Sequence, residues 1–116
     1  MKIEIDLVRR ILLQVEEAVD GDMNYPISEY CEQSLPDVDL KKAVYHFKYL
    51  IKSGMIEASN SYFNDLTPAG HNFANDINSD TVWRRTKEKI KPFGKVGIDI
   101  LAAVAAGVVK ELLMIP

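Results

Sequence analysis

The chain carries a single cysteine, Cys31, so no internal disulfide is available and nothing points to an oxidising compartment. Its longest uncharged apolar run, residues 100–109, is about half of the roughly 20 residues a bilayer span requires. The start, "MKIEIDLVRR", places acids where a secretory leader needs a basic start and an apolar core. From these absences a cytoplasmic protein with no membrane partner is expected. Histidine is scarce: with Cys31, His46 and His71 provide neither a ligand-spaced pair nor four ligands, so no metal site is expected. Asp76 and Asp80, four apart, are explained by capping and exposure without chemistry. There is no glycine-rich phosphate loop, nucleophile elbow or triad spacing. The expectation is a binding protein, not an enzyme, with no cofactor.

Arginine is absent between residues 11 and 83, and with it the side chain that most often reads guanine. The formal net charge of −3 conceals a segregation of sign. Residues 1–40 hold ten acids against three bases, and residues 41–58 hold four lysines against one acid. Residues 59–83 hold three aspartates and no base, while 84–116 hold seven bases and three acids. An acidic total argues against nucleic acid as a partner, but a local basic face can still form a footprint.

At 116 residues the chain is long enough to bury one core without covalent staples. "DLVRRILLQVEEAV" sets Leu7, Ile11, Leu12, Val15 and Val19 on one helical face, with Asp6 available as N-cap. In residues 24–36 the Tyr-Pro-Ile start favours extended structure over a short helix capped by Ser28. From about residue 37 to residue 52, Leu40, Ala43, Val44, Phe47, Leu50 and Ile51 fall within about 120° of arc, a core-facing stripe. Lys41, Lys42, Tyr45, His46, Lys48, Tyr49 and Lys52 occupy the other side. Gly54 sits where a left-handed residue closes a helix. "MIEAS" and "YFNDL" read as two strands around "SNS". "TPAGHNFANDI" then starts a helix with Thr67 as N-cap, Pro68 in its first position, and Ala69, Phe73 and Ile77 inward. "DTVWRRTKEKI" is a further helix capped near Ser79 or Asp80, with Trp83, Thr86 and Ile90 inward. Pro92 and Gly94 break it before a last helix from about residue 96 to residue 114.

This order resembles the winged helix-turn-helix proteins of bacteria, in which a helix ending "L…GLI" feeds a β wing that closes with "LT..G". The matching residues here are Leu50, Gly54, Met55, Ile56, Leu66, Thr67 and Gly70. The stretches "YHFKYLIKSGMIEA" and "LTPAGHNFANDINSDTVWRRTKEKI" resemble a bacterial and phage family, domain of unknown function 2513. The resemblance runs over nearly the whole chain and implies a mainly α (α+β) fold: a winged helix over residues 1–78, followed by a C-terminal helical extension, 79–116. It implies no activity.

Two function classes follow. In the first, the protein is a small DNA-binding regulator whose recognition helix presents Lys41, Lys42, Tyr45, His46, Lys48, Tyr49 and Lys52 to double-stranded DNA. Arg84, Arg85, Lys87, Lys89 and Lys91 form a secondary basic surface that is solvated, extends this footprint, or meets the acidic residues 1–40 of this or another subunit, the intramolecular contact being favoured over the phosphate one. In the second, the same fold serves as a protein-interaction adaptor. Asp37 and Asp39 near the start of the recognition helix, and a wing tip without lysine or arginine, favour the second class. The last helix, "VGIDILAAVAAGVVKELLMI", is apolar nearly all round, and a small domain covers only one side of it. Ala103, Val104, Gly107, Val108 and Leu112 are therefore expected at a homodimer contact, Ala103 and Gly107 permitting close backbone approach.

Overall fold

The protein is described by a computed structural model covering residues 1–114. Among these residues it is mainly helical, with six α-helices and one small three-stranded antiparallel sheet, an α+β architecture. The chain forms two compact units, residues 1–71 and the residues from Asn72 onward.

The first unit begins with α1, Ile5–Ala18, which buries Leu7, Val8, Ile11, Leu12 and Val15. This is the apolar face that the spacing predicts. Asp6 does not cap it: the helix starts two residues earlier, Glu4 is the N-cap, and Asp6 lies in the first turn. The strand β1, Tyr25–Pro26, is only two residues long. It leads directly into α2, Ile27–Ser34, where extended structure was expected. Pro26 stands immediately before that helix, where its missing N–H costs nothing, and Ile27 and Cys31 are buried one turn apart.

After a short connection, α3 spans Leu40–Lys52, starting at the first residue of its apolar stripe and three residues later than expected. Asp39 caps it, its carboxylate accepting from the Lys42 N–H at 3.3 Å. Gly54 (φ +78°) ends the turn that follows, a conformation strained for any residue with a Cβ. The hairpin β2 (Ile56–Ser59) and β3 (Tyr62–Leu66) follows, with Asn60 in the left-handed region at its tip. The sheet order is β1-β3-β2, with Tyr25 opposite Phe63 and Ile56 opposite Leu66. The register shifts between Glu57 and Ala58, where the partner changes from Asp65 to Phe63. The sheet is seated by aromatic contacts: Phe63 lies 4.7 Å from Phe47, 5.0 Å from Tyr30 and 5.2 Å from Tyr25, centroid to centroid.

The helix α4, Pro68–Ile77, is entered through Thr67, whose hydroxyl accepts from the Gly70 N–H at 3.0 Å. Phe73 and Ile77 are buried as predicted, but Ala69 faces solvent while Gly70 and Ala74 turn inward. In the second unit, α5 (Asp80–Ile90) is capped by Ser79 and buries Val82, Trp83, Thr86 and Ile90. A single 3₁₀ turn, Lys91–Phe93, precedes α6, Ile98–Leu113, which packs against α5.

Candidate functional site

The α3 helix packs against α1, α2 and β2, and these contacts decide which of its side chains remain available. The buried residues are Ala43, His46, Phe47 and Leu50. At 100° per residue their centre lies about 50° from that of the predicted stripe, so the helix is rotated about its axis relative to its apolar pattern. His46 enters the core and Leu40 and Val44 turn outward.

The rotation has a polar cause. His46 is 0 % exposed, and both ring nitrogens are satisfied. Its Nε2 accepts from the Glu4 backbone N–H at 2.9 Å, and its Nδ1 pairs with the Lys42 carbonyl at 2.8 Å. A histidine so held ties α3 to the start of α1 and cannot reach a ligand. The expectation that His46 forms part of a binding surface is therefore corrected: it is an internal hydrogen-bonding residue. Lys42 follows it, since its ammonium pairs with the Glu4 carboxylate.

The outward side of α3 carries Leu40, Lys41, Val44, Tyr45 and Lys48 within about 140° of arc. With Ser28 of α2 these residues line an open depression of about 350 Å3. Leu40 and Tyr45 are 42 % and 46 % exposed. Among the described residues no ion pair involves Lys41, Lys48 or Lys52. Their ammoniums project as unneutralised charge. Tyr49 is half-buried on the flank of this face, and Lys52 is exposed one turn beyond Lys48.

The acids near the start of α3 occupy its other side. Glu4, Asp6, Arg10, Asp37, Asp39 and Lys42, with Leu7 and Val38, line a separate depression of about 370 Å3. Asp37 is held there by a two-pronged pair with Arg10, at 2.7 and 2.8 Å. The Arg10 guanidinium lowers the Asp37 carboxyl from 3.8 to about 2. Much of this acidity is thus already matched within the protein. At the hairpin tip, Asn24, Ser59, Asn60 and Tyr62 line a shallow hollow that offers amides and hydroxyls but no charge.

The secondary basic run divides. Lys89 pairs with Glu111 of α6 at 2.8 Å, Arg84 lies 3.8 Å from Glu88 one turn on, and the Lys87 ammonium sits 5.8 Å from the Trp83 ring centre. Arg85 and Lys91 form no ion pair with a carboxylate among the described residues. On α6, Val108 is fully buried in the protein's own core with Ile98, Leu101 and Ala105, which corrects its assignment to a dimer contact. Ala103 is exposed, Val104, Gly107 and Leu112 are partly so, and the space around Gly107 is open to 4 Å.

Cys31 is buried, and burial pushes its thiol up to about 11, as fits a small core residue. Asp76 lies in α4 and Asp80 opens α5, so their four-residue spacing does not place them on one helical face. Among the described residues no group of three His, Cys, Asp or Glu side chains could hold a metal ion, and no helix is long and apolar enough to cross a membrane.

A family model described as "Hypothetical protein (DUF2513)" matches residues 2–96. An "Uncharacterized protein" of Haemophilus influenzae (strain ATCC 51907 / DSM 11121 / KW20 / Rd) is 33 % identical over 126 residues, covering 97 % of this chain and 99 % of the relative. No solved structure matches.

Proposed function

The chain belongs to the DUF2513 family, and from the outward face of α3 we propose that it is a small winged-helix protein that binds double-stranded DNA in the manner of a regulator. In this reading α2 and α3 are the helix-turn-helix, α3 enters the major groove, and the β2–β3 hairpin is the wing. The order α1-β1-α2-α3-β2-β3 suits that reading. The observation that carries it is the cluster of Lys41, Lys48 and Lys52, exposed and unneutralised on the side of α3 that no other element of residues 1–71 covers. Phosphate contacts require such charges, and the acids that would oppose them lie on the other side of the helix.

Lys41→Glu combined with Lys48→Glu reverses the charge at two exposed positions and leaves the core untouched. The double variant is expected to keep the parent's circular dichroism and melting temperature while losing duplex binding. Affinity of the parent for duplex DNA should fall steeply as salt rises, because each neutralised phosphate releases counterions. Unchanged binding by the folded double variant overturns this assignment.

A second reading, a protein-interaction adaptor, is favoured by the exposed apolar residues Leu40 and Tyr45 and by the uncharged hairpin tip. Such a contact would show little dependence on salt and none on DNA. In either reading we propose a homodimer formed through the exposed side of α6, which in a regulator sets the spacing of two recognition helices.

A further inference from the structure

The α3 face has a composition that restricts what it can distinguish, and the inference drawn from it rests on the DNA-binding reading. Leu40, Lys41, Val44, Tyr45 and Lys48 contribute two ammoniums, two aliphatic groups and one phenol, with the Ser28 hydroxyl at the rim. None of these is an amide, which would match adenine with a donor and an acceptor together, and none is a guanidinium fork; the lysines, which can also reach guanine, are assigned here to phosphates. What the face offers instead is aliphatic surface between charges. Leu40 is exposed where α3 begins, and Val44 lies one turn further along the same line.

On the major-groove edges of the four base pairs one apolar group occurs, the 5-methyl of thymine. Lysine ammoniums complement the phosphates that border the groove, and an aliphatic strip between them complements methyl groups on its floor. We propose that α3 recognises thymine 5-methyl groups through Leu40 and Val44, while Lys41 and Lys48 hold the flanking phosphates. Tyr45 lies beside the same strip.

The test begins with duplexes enriched from a random-sequence pool by the full-length protein. The best of them is then synthesised twice, once with thymidine and once with deoxyuridine at every such position. The two duplexes share phosphates, charge and hydrogen-bonding groups and differ only in the methyls. Affinity is expected to fall about fourfold for each thymine contacted when the methyl is removed. In Leu40→Ser combined with Val44→Ser the two duplexes should bind alike, with circular dichroism confirming the fold; Leu40→Ser alone, at an exposed site, should lose part of the difference.

Equal affinity of the parent for both duplexes, with a steep salt dependence retained, overturns methyl recognition and leaves DNA binding standing. A methyl preference that survives the folded double variant overturns the assignment to Leu40 and Val44. Failure to enrich or retain any duplex overturns this inference together with the reading on which it rests.

Discussion

His46 shows how one polar side chain decides what a helix displays. It brings two hydrogen bonds into the core and links α3 to the first residue before α1. His46→Ala would leave the Glu4 N–H without its partner and open a cavity beside Phe47. A loss of about 2–4 kcal/mol is expected, measured as a lower denaturant midpoint. Below that midpoint the folded variant should bind any ligand of α3 as the parent does. A fully stable His46→Ala with impaired binding would instead return His46 to the surface. Asp37 is the contrasting, exposed case. Its carboxyl is depressed to about 2 by the Arg10 guanidinium, below the ordinary 3.8. A depressed folded value means that the pair supports the fold above about pH 4 and that this support fades as pH falls toward 2. Arg10→Gln should move the Asp37 titration, followed by NMR, back toward its ordinary value. An unmoved midpoint would show that the guanidinium is not its cause.

At the scale of elements, the junction between the hairpin and α4 is the most fully determined piece of the chain. Thr67 caps α4 through Gly70, donates its hydroxyl to the Gly54 carbonyl at 2.5 Å, and gives its own N–H to the Met55 carbonyl at 3.0 Å. A Cβ on Gly70 would overlap that same Met55 carbonyl oxygen and stand 2.9 Å from its carbon. The "LTPAG" run is therefore a backbone-to-backbone staple across the end of the hairpin. Thr67→Ala should cost about 1–2 kcal/mol, and Gly70→Ala about 3 kcal/mol, since the obstacle is main chain that cannot rotate away. Equal melting temperatures for Gly70→Ala and the parent would contradict this packing. The junction was legible in the sequence because capping chemistry is local. The phase of α3 was not: its pattern counts Leu40 and Val44 as apolar and His46 as polar, and only the Glu4 N–H, 42 residues away, reverses that choice. The α2 helix was legible but misread. Ile27, Cys31 and Leu35 recur at helical spacing and are all buried, a signal that the Tyr-Pro-Ile start obscured. The outward lysines of α3 were identified from sequence alone, whereas the exposed Leu40 and the partly exposed Val44 beside them required the rotation to be seen.

At the scale of the whole molecule, the decisive surface is α6. It buries Ile98, Leu101, Ala105 and Val108 and leaves Ile100 and Leu113 exposed, with Ala103 on its outer side and the exposed Met114 at its C-cap. The sequence points to an uncovered side of so apolar a helix and assigns Val108 to it, but Val108 lies on the buried side. Exposed apolar surface of this kind usually marks an interaction. Gly107 makes the proposal testable in two directions. A Cβ placed there meets nothing within 4 Å beyond the helix's own backbone, so Gly107→Leu starts from open space in the single chain. In a monomer the change should stabilise, by up to about 1 kcal/mol, because leucine is the better helix former. In a dimer packed through Ala103 and Gly107 the added side chain separates the two backbones. Sedimentation at micromolar concentration should then convert from dimer to monomer, and the melting temperature should lose its dependence on concentration. A parent that sediments as a monomer, together with a Gly107→Leu variant that melts higher, would exclude the dimer and leave α6 as an exposed face of the single chain.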